Sequence, residues 1–178
     1  MTVHTLRLHP STPCAFIESM TAAVQPVPQA AFRVIYEVRG DIARLDIPVA
    51  RQPLRTDDLW RGTCFEAFVR TPRAVAYDEF NFSPSGEWAA WRFEHYRTGR
   101  VELEVASVPA VICERDDGHL RLAVVVGRCD RTAAEFEIGL SAVLRDREGQ
   151  ICYWALRHAD GKPDFHHDEA FAARLMLS

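Results

Sequence analysis

The sequence predicts an all-β protein, an antiparallel β-sandwich of immunoglobulin-like or jelly-roll-like type with about ten strands. From residue 31 onwards, apolar and polar residues alternate in short runs, as they do in strands with one buried face. These runs recur at spacings of roughly 8–12 residues, and turn-forming residues such as Gly, Pro and Asp separate them. The alternation and the regular turns together predict the sandwich.

The N-terminal segment is expected to differ from the rest of the chain. Residues 3–8 alternate weakly and predict a first strand. Residues 16–24 have the composition of a short helix, which Pro26 would end. We therefore expect residues 1–30 to form an arm that packs on a single domain spanning residues 1–178.

The first clear strands come next. Residues 32–38 alternate with period two except at Ile35, Gly40-Asp41 predicts a tight turn, and residues 42–49 would return as the partner strand. Residues 63–69 then form a strand that is apolar on both faces except at Glu66. Because burying an unpaired charge is costly, Glu66 needs a partner or a ligand.

Later strands follow at similar spacing. The run at residues 120–126 is almost entirely apolar, which is typical of a central strand covered on both faces. The other predicted strands are residues 101–105, 109–114, 136–140, 142–144, 151–156 and 171–177.

A hairpin at residues 77–93 carries the most informative pattern, because a Ser83-Pro84-Ser85-Gly86 turn joins two aromatic runs. Phe80 and Phe82 would face the core and Glu79 and Asn81 the other side. On the second strand we assign Ala89, Trp91 and Phe93 to the core face. The opposite face would then combine the following side chains with Glu66: Glu79, Asn81, Trp88 and Arg92.

Such a face suits a ring-shaped or polyhydroxylated small molecule. Arg supplies a planar fork of donors, Asn a donor and an acceptor, and the carboxylates acceptors. An indole offers a flat apolar platform for a ring. The competing interpretation is a cross-strand ion pair of Glu66 or Glu79 with Arg92 on a solvated face.

Two further groups could contribute. Trp60 and Trp154, with Tyr96, could clamp a ligand, although we expect Trp154 in the core and Trp60 near a loop end. The tail places His158, Asp164, His166, His167 and Asp168 close in sequence, as in metal sites or general bases. The spacing matches no metal motif, so loop histidines bonded to backbone are expected and no metal is assigned. His158 and His166 remain candidate ligand-binding residues.

Composition excludes several classes of function. A net charge of −4 does not favour nucleic-acid binding. No apolar run reaches the ~18 residues of a membrane helix, and no secretory signal is recognisable, so we expect a cytoplasmic protein without a membrane partner. The five cysteines are scattered and are expected to be free thiols. The sequence also lacks a Gly-x-Ser-x-Gly motif and a phosphate-binding glycine loop, so catalysis has little support.

The chain resembles the DOMON-like superfamily, in its branch related to family-9 carbohydrate-binding modules. The resemblance covers about residues 31–178 and is carried by Cys64–Val69, Tyr77–Gly86, Tyr153–Leu156 and Gly161–His166. It implies a β-sandwich with a ligand slot on one face, where aromatic residues stack on a sugar and polar residues fix its hydroxyls. By position, Glu66, Asn81 and Arg92 look like the polar set, and Trp88 or Trp60 like the stacking residue.

Other branches of that superfamily bind haem through axial Met and His residues. The three methionines, Met1, Met20 and Met176, lie away from a clear haem face, so we expect no cofactor and rank haem below sugar. The prediction is a non-catalytic domain that binds a small molecule, in the first place a saccharide, on one sheet face. The alternatives are a hydrolase-type enzyme using Glu66 or the His158–His167 segment, and a haem-binding or protein-interaction domain.

Overall fold

A computed structural model describes residues 2–28, 31–127 and 133–176. In these ranges the chain forms twelve strands and three short 3₁₀ helices, and every strand pairing is antiparallel. The predictions of an all-β class and of antiparallel pairing are confirmed. The strands are β1 Thr2–Leu8, β2 Ile17–Val27, β3 Ala31–Gly40, β4 Cys64–Arg70, β5 Tyr77–Phe82, β6 Trp88–Phe93, β7 Val101–Glu102, β8 Ala110–Arg115, β9 His119–Gly127, β10 Glu135–Arg145, β11 Ile151–Ala155 and β12 Ala173–Met176. The 3₁₀ helices are Ile42–Arg44, Leu59–Arg61 and Asp168–Ala170.

The strands belong to one curled sheet with the order β7-β6-β5-β4-β10-β11-β1-β2-β3-β9-β8, and β12 pairs with β10. β1 joins its two parts, because Leu6 pairs with Met20 of β2 while Leu8 pairs with Trp154 of β11. We call β2, β3, β8 and β9 the first half, and β4 to β7 with β10 and β11 the second half. Hydrogen bonding is thus continuous through β1, and the two separate sheets of the predicted sandwich are not confirmed.

The main core lies between the inner faces of the two halves. Phe32 of β3 contacts Phe80 of β5, with ring centroids 5.8 Å apart. Tyr36 of β3 lies 5.0 Å from the Phe65 ring, and its hydroxyl donates a 2.6 Å hydrogen bond to the Glu66 carbonyl. These contacts bury alternate side chains of each strand, as period-two patterning requires.

The predicted helix at residues 16–24 is wrong, because this segment is strand β2. It pairs with β1 on one side and β3 on the other, and these ladders outweigh the local composition. Pro26 lies beyond the pairing with β1, which ends at Val24, so its missing N–H interrupts no bond on that side. Strands β1 and β2 are therefore integral to the sheet and do not form an appended arm.

Three further strand predictions need correction. Residues 42–49 do not return alongside β3, since β3 pairs with β2 and β9. The two predicted strands within 136–144 are the single strand β10. The run at residues 120–126, predicted as a central strand covered on both faces, belongs to β9. This strand lies one strand from the edge of the sheet, and every second residue of it is only half-buried, so one of its faces is not covered. The predicted last strand ends within the described residues at Met176, and Leu177 lies outside them.

No helix in the described ranges has the length and hydropathy needed to cross a lipid bilayer.

Candidate functional site

The second half of the sheet carries an additional layer on its outer face. This cover layer consists of the 3₁₀ helix Leu59–Arg61, residues 94–100 and residues 157–172. Phe165 and Phe171 of the cover layer are buried in a second apolar cluster with Phe68 of β4 and Trp91 of β6.

A cavity of about 650 Å³ lies between the cover layer and the sheet. This volume is in the range of small-molecule sites, ~300–1,000 Å³. Its polar and charged lining residues are Asp58, Glu66, Glu79, Asn81, Arg97, Arg100, Lys162 and His166. Its aromatic lining residues are Trp60, Trp91, Phe93, Tyr153 and Phe165.

The register of the β5–β6 hairpin decides which side chains reach this cavity. Phe82 pairs with Trp88, so five residues form the connection, one more than the predicted four-residue turn. Within it the Ser83 N–H donates to the Glu87 carbonyl at 2.9 Å, and Gly86 takes a φ of +98°, which favours glycine. A shift of one residue moves every side chain of a strand to the opposite face.

The prediction that Trp88 and Arg92 share a face with Glu79 and Asn81 is therefore wrong. Glu79 pairs with Trp91, and it is Trp91 that contributes the indole to the cavity. The Trp88 ring lies on the inner face under the Arg55 guanidinium, 4.6 Å from the ring centroid. Arg92 donates to both carboxylate oxygens of Asp78, at 2.8 and 3.1 Å.

The floor of the cavity is acidic. Glu66 of β4 pairs directly with Asn81 of β5 across the strands and is only 3% exposed. The Asn81 Nδ2 donates to Glu79 Oε1 at 2.6 Å, and the Cys64 thiol donates to Asn81 Oδ1 at 3.6 Å. The Glu66 carboxyl makes no hydrogen bond or ion pair with the described residues, which leaves its oxygens for a molecule in the cavity.

Burial changes the acidity of both carboxyl groups. It raises the pKa of Glu66 well above its usual range, and the neighbouring Glu79 raises it further. Burial also raises the pKa of Glu79, against the opposing effect of its hydrogen bond from Asn81. The pair consequently retains a proton to higher pH than exposed carboxylates do.

His166 borders the acidic floor. Its Nδ1 lies 2.7 Å from the Tyr77 hydroxyl, and its Nε2 lies 3.8 Å from Glu79 Oε2. Burial, reinforced by the Arg97 charge, lowers the pKa of His166 to about 4. The imidazole is therefore neutral at neutral pH, and its contact with Glu79 is not an ion pair there.

Asp164 connects the two segments of the cover layer at the rim of the cavity. It accepts from the Arg97 guanidinium at 2.8 Å, from the Tyr96 hydroxyl, and from the His166 N–H at 3.0 Å. Beside it the Arg100 guanidinium lies over the Trp91 ring, 4.3 Å from the centroid. These contacts connect residues 94–100 with residues 157–172 and orient two cations at the mouth.

The structure brings together five of the eight predicted site residues: Trp60, Glu66, Glu79, Asn81 and His166. Of the other three, Trp88 and Arg92 lie on the inner face. His158 Nε2 lies 2.8 Å from the Arg7 carbonyl, and its ring contacts His9, so this histidine is bonded to the backbone as predicted.

Several cavity residues were not predicted. Trp91 would have followed from the correct hairpin register, and Tyr153 from its alternation with Trp154 on β11. Arg97 and Arg100 lie in a connection, where no periodic signal exists to assign them.

Among the described residues no three His, Cys, Asp or Glu side chains are arranged to hold a metal ion. Met20, one of the three methionines considered as haem ligands, is buried in the inner core and does not line the cavity.

Comparison with solved structures supports a link in fold to family-9 carbohydrate-binding modules. A candidate carbohydrate-binding protein from Bacteroides uniformis matches with a TM-score of 0.69 and 12% identity, over 99% of this chain and 86% of that one. A family-9 module from Caldicellulosiruptor kristjanssonii in complex with cellotriose has a TM-score of 0.58 and 12% identity, over 99% and 82%. A family-9 module from that organism in complex with glucose has a TM-score of 0.53 and 10% identity, over 97% and 84%.

No family model matches the sequence, and neither does any curated protein. At these identities the shared property is the fold.

Proposed function

We propose that this protein is a non-catalytic saccharide-binding domain, a DOMON-like relative of the family-9 modules, with its ligand in the cavity of the second half. The observation that carries the proposal is the buried Glu66 carboxyl, which faces a cavity of ligand size and has no hydrogen-bond or ion-pair partner among the described residues. A sugar hydroxyl would supply the missing hydrogen bond.

The lining suits a polyhydroxylated ring in two ways. Glu66 and Glu79 accept from hydroxyls, and Arg97, Arg100 and Lys162 donate to hydroxyl or ring oxygens. The aromatic side chains offer apolar surface for the C–H faces of a pyranose. A mixture of a few placed polar groups and a largely aromatic wall is typical of small-molecule sites.

Calorimetric titration with glucose and cello-oligosaccharides, alongside a glycan array, tests this proposal. We expect a saccharide that binds the wild type, and at least about tenfold weaker binding by Trp91→Ala, because its ring forms part of the wall. Calorimetry does not depend on tryptophan emission, so the loss can be assigned to binding.

Trp88 provides the control on the same strand. Trp88→Phe keeps an aromatic side chain in the inner core, so this variant should bind as the wild type does. Equal affinity in Trp91→Ala and the wild type, with both folded by circular dichroism, would remove the cavity from consideration.

A hydrolase-type enzyme is the second candidate, and the raised pKa of Glu66 favours it, because a carboxyl that keeps its proton can act as a general acid. Incubation with the bound saccharide, followed by chromatography, separates the two. Cleavage by the wild type and its absence in Glu66→Gln would replace the binding proposal with a catalytic one.

The cytoplasmic location stays a prediction.

A further inference from the structure

Two cysteines meet where the halves of the sheet join. Cys14 lies in the connection between β1 and β2, and Cys152 lies in β11, 138 positions further along the chain. Both side chains are buried, and their sulfur atoms are 2.6 Å apart. An S–S bond measures about 2.05 Å, so only a small movement of either side chain separates this pair from bonding distance.

The surrounding backbone maintains this contact. The His9 N–H donates to the Tyr153 carbonyl at 2.8 Å, and the Tyr153 N–H donates to the Thr12 hydroxyl at 3.3 Å. The Gln150 side chain donates to the Pro13 carbonyl at 3.3 Å. The connection that carries Cys14 is therefore fastened to β11 on both sides of Cys152.

The position of the pair is a weak point of the sheet. β1 pairs with β11 at only two positions, Arg7 with Ala155 and Leu8 with Trp154, within the described strands. Most ladders within each half are longer, such as the nine pairs between β3 and β9. A covalent link between Cys14 and Cys152 would reinforce the short ladder at this junction.

The other described cysteines are placed differently. Cys64 donates to Asn81 on the outer face, and Cys113 is half-buried on β8. Neither has another sulfur within contact distance among the described residues, and Cys129 lies outside them. The apposition of Cys14 with Cys152 is thus a specific feature of this junction.

We propose that Cys14 and Cys152 form a reversible disulfide that locks the first half of the sheet to the second. The oxidant is a low-molecular-weight disulfide of the glutathione type. The Cys14 thiolate attacks one sulfur of that disulfide and releases one small thiolate, which leaves a mixed disulfide on Cys14. The Cys152 thiolate then attacks the Cys14 sulfur and releases the second small thiolate. Two protein thiols and one small disulfide become one protein disulfide and two small thiols.

In the folded protein, the contact between the two thiols shifts their pKa values in opposite directions. The hydrogen bond from Cys152 lowers the pKa of Cys14, whereas the same contact and burial raise the pKa of Cys152. Because both thiols are buried, exchange takes place while the segment around Cys14 is detached from β11, as it is during folding. The structure shows the four described cysteines as free thiols, as the sequence predicts, and the disulfide is the oxidised form that we infer.

The disulfide and the ligand site lie on opposite faces of β11. Tyr153 lines the cavity, whereas its neighbour Cys152 belongs to the inner core. The link should therefore raise stability without changing saccharide affinity, and its test is independent of the proposed function.

Refolding of the reduced chain in glutathione buffers of increasing oxidised fraction tests the proposal. After acid quenching, the intact mass before alkylation should fall by two hydrogen atoms. After alkylation, peptide mapping should identify a Cys14–Cys152 peptide. The oxidised protein should unfold at least about 5 °C above the reduced one, because the link closes a long loop in the unfolded chain.

Cys14→Ser and Cys152→Ser should each abolish both the linked peptide and the shift in midpoint. Cys64→Ser and Cys113→Ser are the matched controls and should keep both. If either serine variant fails to fold, mapping of the wild type still decides. Recovery of Cys14 and Cys152 as free thiols in the most oxidising buffer, or a link from either to Cys129, would overturn the proposal.

Discussion

The two halves of the sheet share one inner core, yet their outer faces are built differently. In the first half, β8 and β9 alternate between buried or half-buried and more exposed positions, and Ile112 of β8 is 57% exposed. In the second half, β4 and β5 are buried at nearly every position. The cover layer accounts for the difference, because it lies over the second half and encloses the cavity there.

This contrast shows on which outer face a polar side chain indicates a binding site. On a face exposed to water, a charged side chain is ordinary. On a face that is covered, each polar group needs a partner, since an unsatisfied buried group costs about 1–3 kcal/mol. Glu66, Glu79 and Asn81 interrupt the covered face, and together they line the cavity. The candidate ligand site therefore lies on the outer face of the second half.

The largest expected effect comes from removing a buried ring of the covered face. Phe68 of β4 is 1% exposed and contacts Tyr77, His166 and Phe171. We expect Phe68→Ala to lower the free energy of unfolding by about 3–5 kcal/mol, because it leaves a cavity beneath the cover layer. Urea denaturation monitored by circular dichroism measures this change.

Ile112→Ala is the corresponding truncation on the outer face of the first half. Its side chain is mostly in water, so the expected loss is within about 0.5 kcal/mol. Similar losses in the two variants would contradict the difference between the halves.

The sequence predicts most strands of both halves, because period-two alternation depends on local burial, but it assigns a helix to the segment that forms β2. It does not predict which strands pair. Residues 42–49 looked like the partner of β3, but the ladders with β2 and β9 involve residues far apart in sequence. The apolar run of β9 similarly suggested two covered faces, although residues such as Val125 are only half-buried. Apolar composition alone cannot reveal whether another layer is present.

For the site, the sequence identified the acidic floor together with Trp60 and His166, but not the rest of the wall. Glu66 was recognisable as a carboxyl in an apolar strand, and Glu79 and Asn81 by their alternation with Phe80 and Phe82. One additional residue in the hairpin connection exchanged Trp91 for Trp88. Arg97 and Arg100 depend on how a connection folds over the sheet, which local patterns do not encode.

An intermediate effect is expected at the floor of the covered face. In the unfolded chain the Glu66 carboxyl ionises near 4.5, whereas the folded protein raises its pKa well above that value. The folded state thus binds more protons, and the wild type loses stability as pH rises from the unfolded towards the folded pKa. Glu66→Gln removes this loss, so its unfolding free energy relative to wild type should increase by at least about 1 kcal/mol between pH 5 and pH 8.

Urea denaturation of both proteins across that range provides the comparison. Ile112→Ala changes no titratable group, so its difference from wild type should be the same at each pH. A constant difference for Glu66→Gln would mean that the buried carboxyl does not carry the proposed proton.

The smallest effect on stability is expected at the exposed edge of the cover layer. Trp60 lines the cavity from its 3₁₀ helix, but it is 48% exposed and belongs to neither apolar cluster. Trp60→Ala should change the unfolding free energy by less than about 0.5 kcal/mol. Its saccharide affinity should nevertheless fall about tenfold, because a ring half in water can still stack on a sugar. Denaturation and calorimetry on one preparation measure both quantities. A large loss of stability with unchanged affinity would instead make Trp60 a structural part of the cover layer, like Phe68, and would leave the acidic floor and Trp91 as the ligand-binding elements.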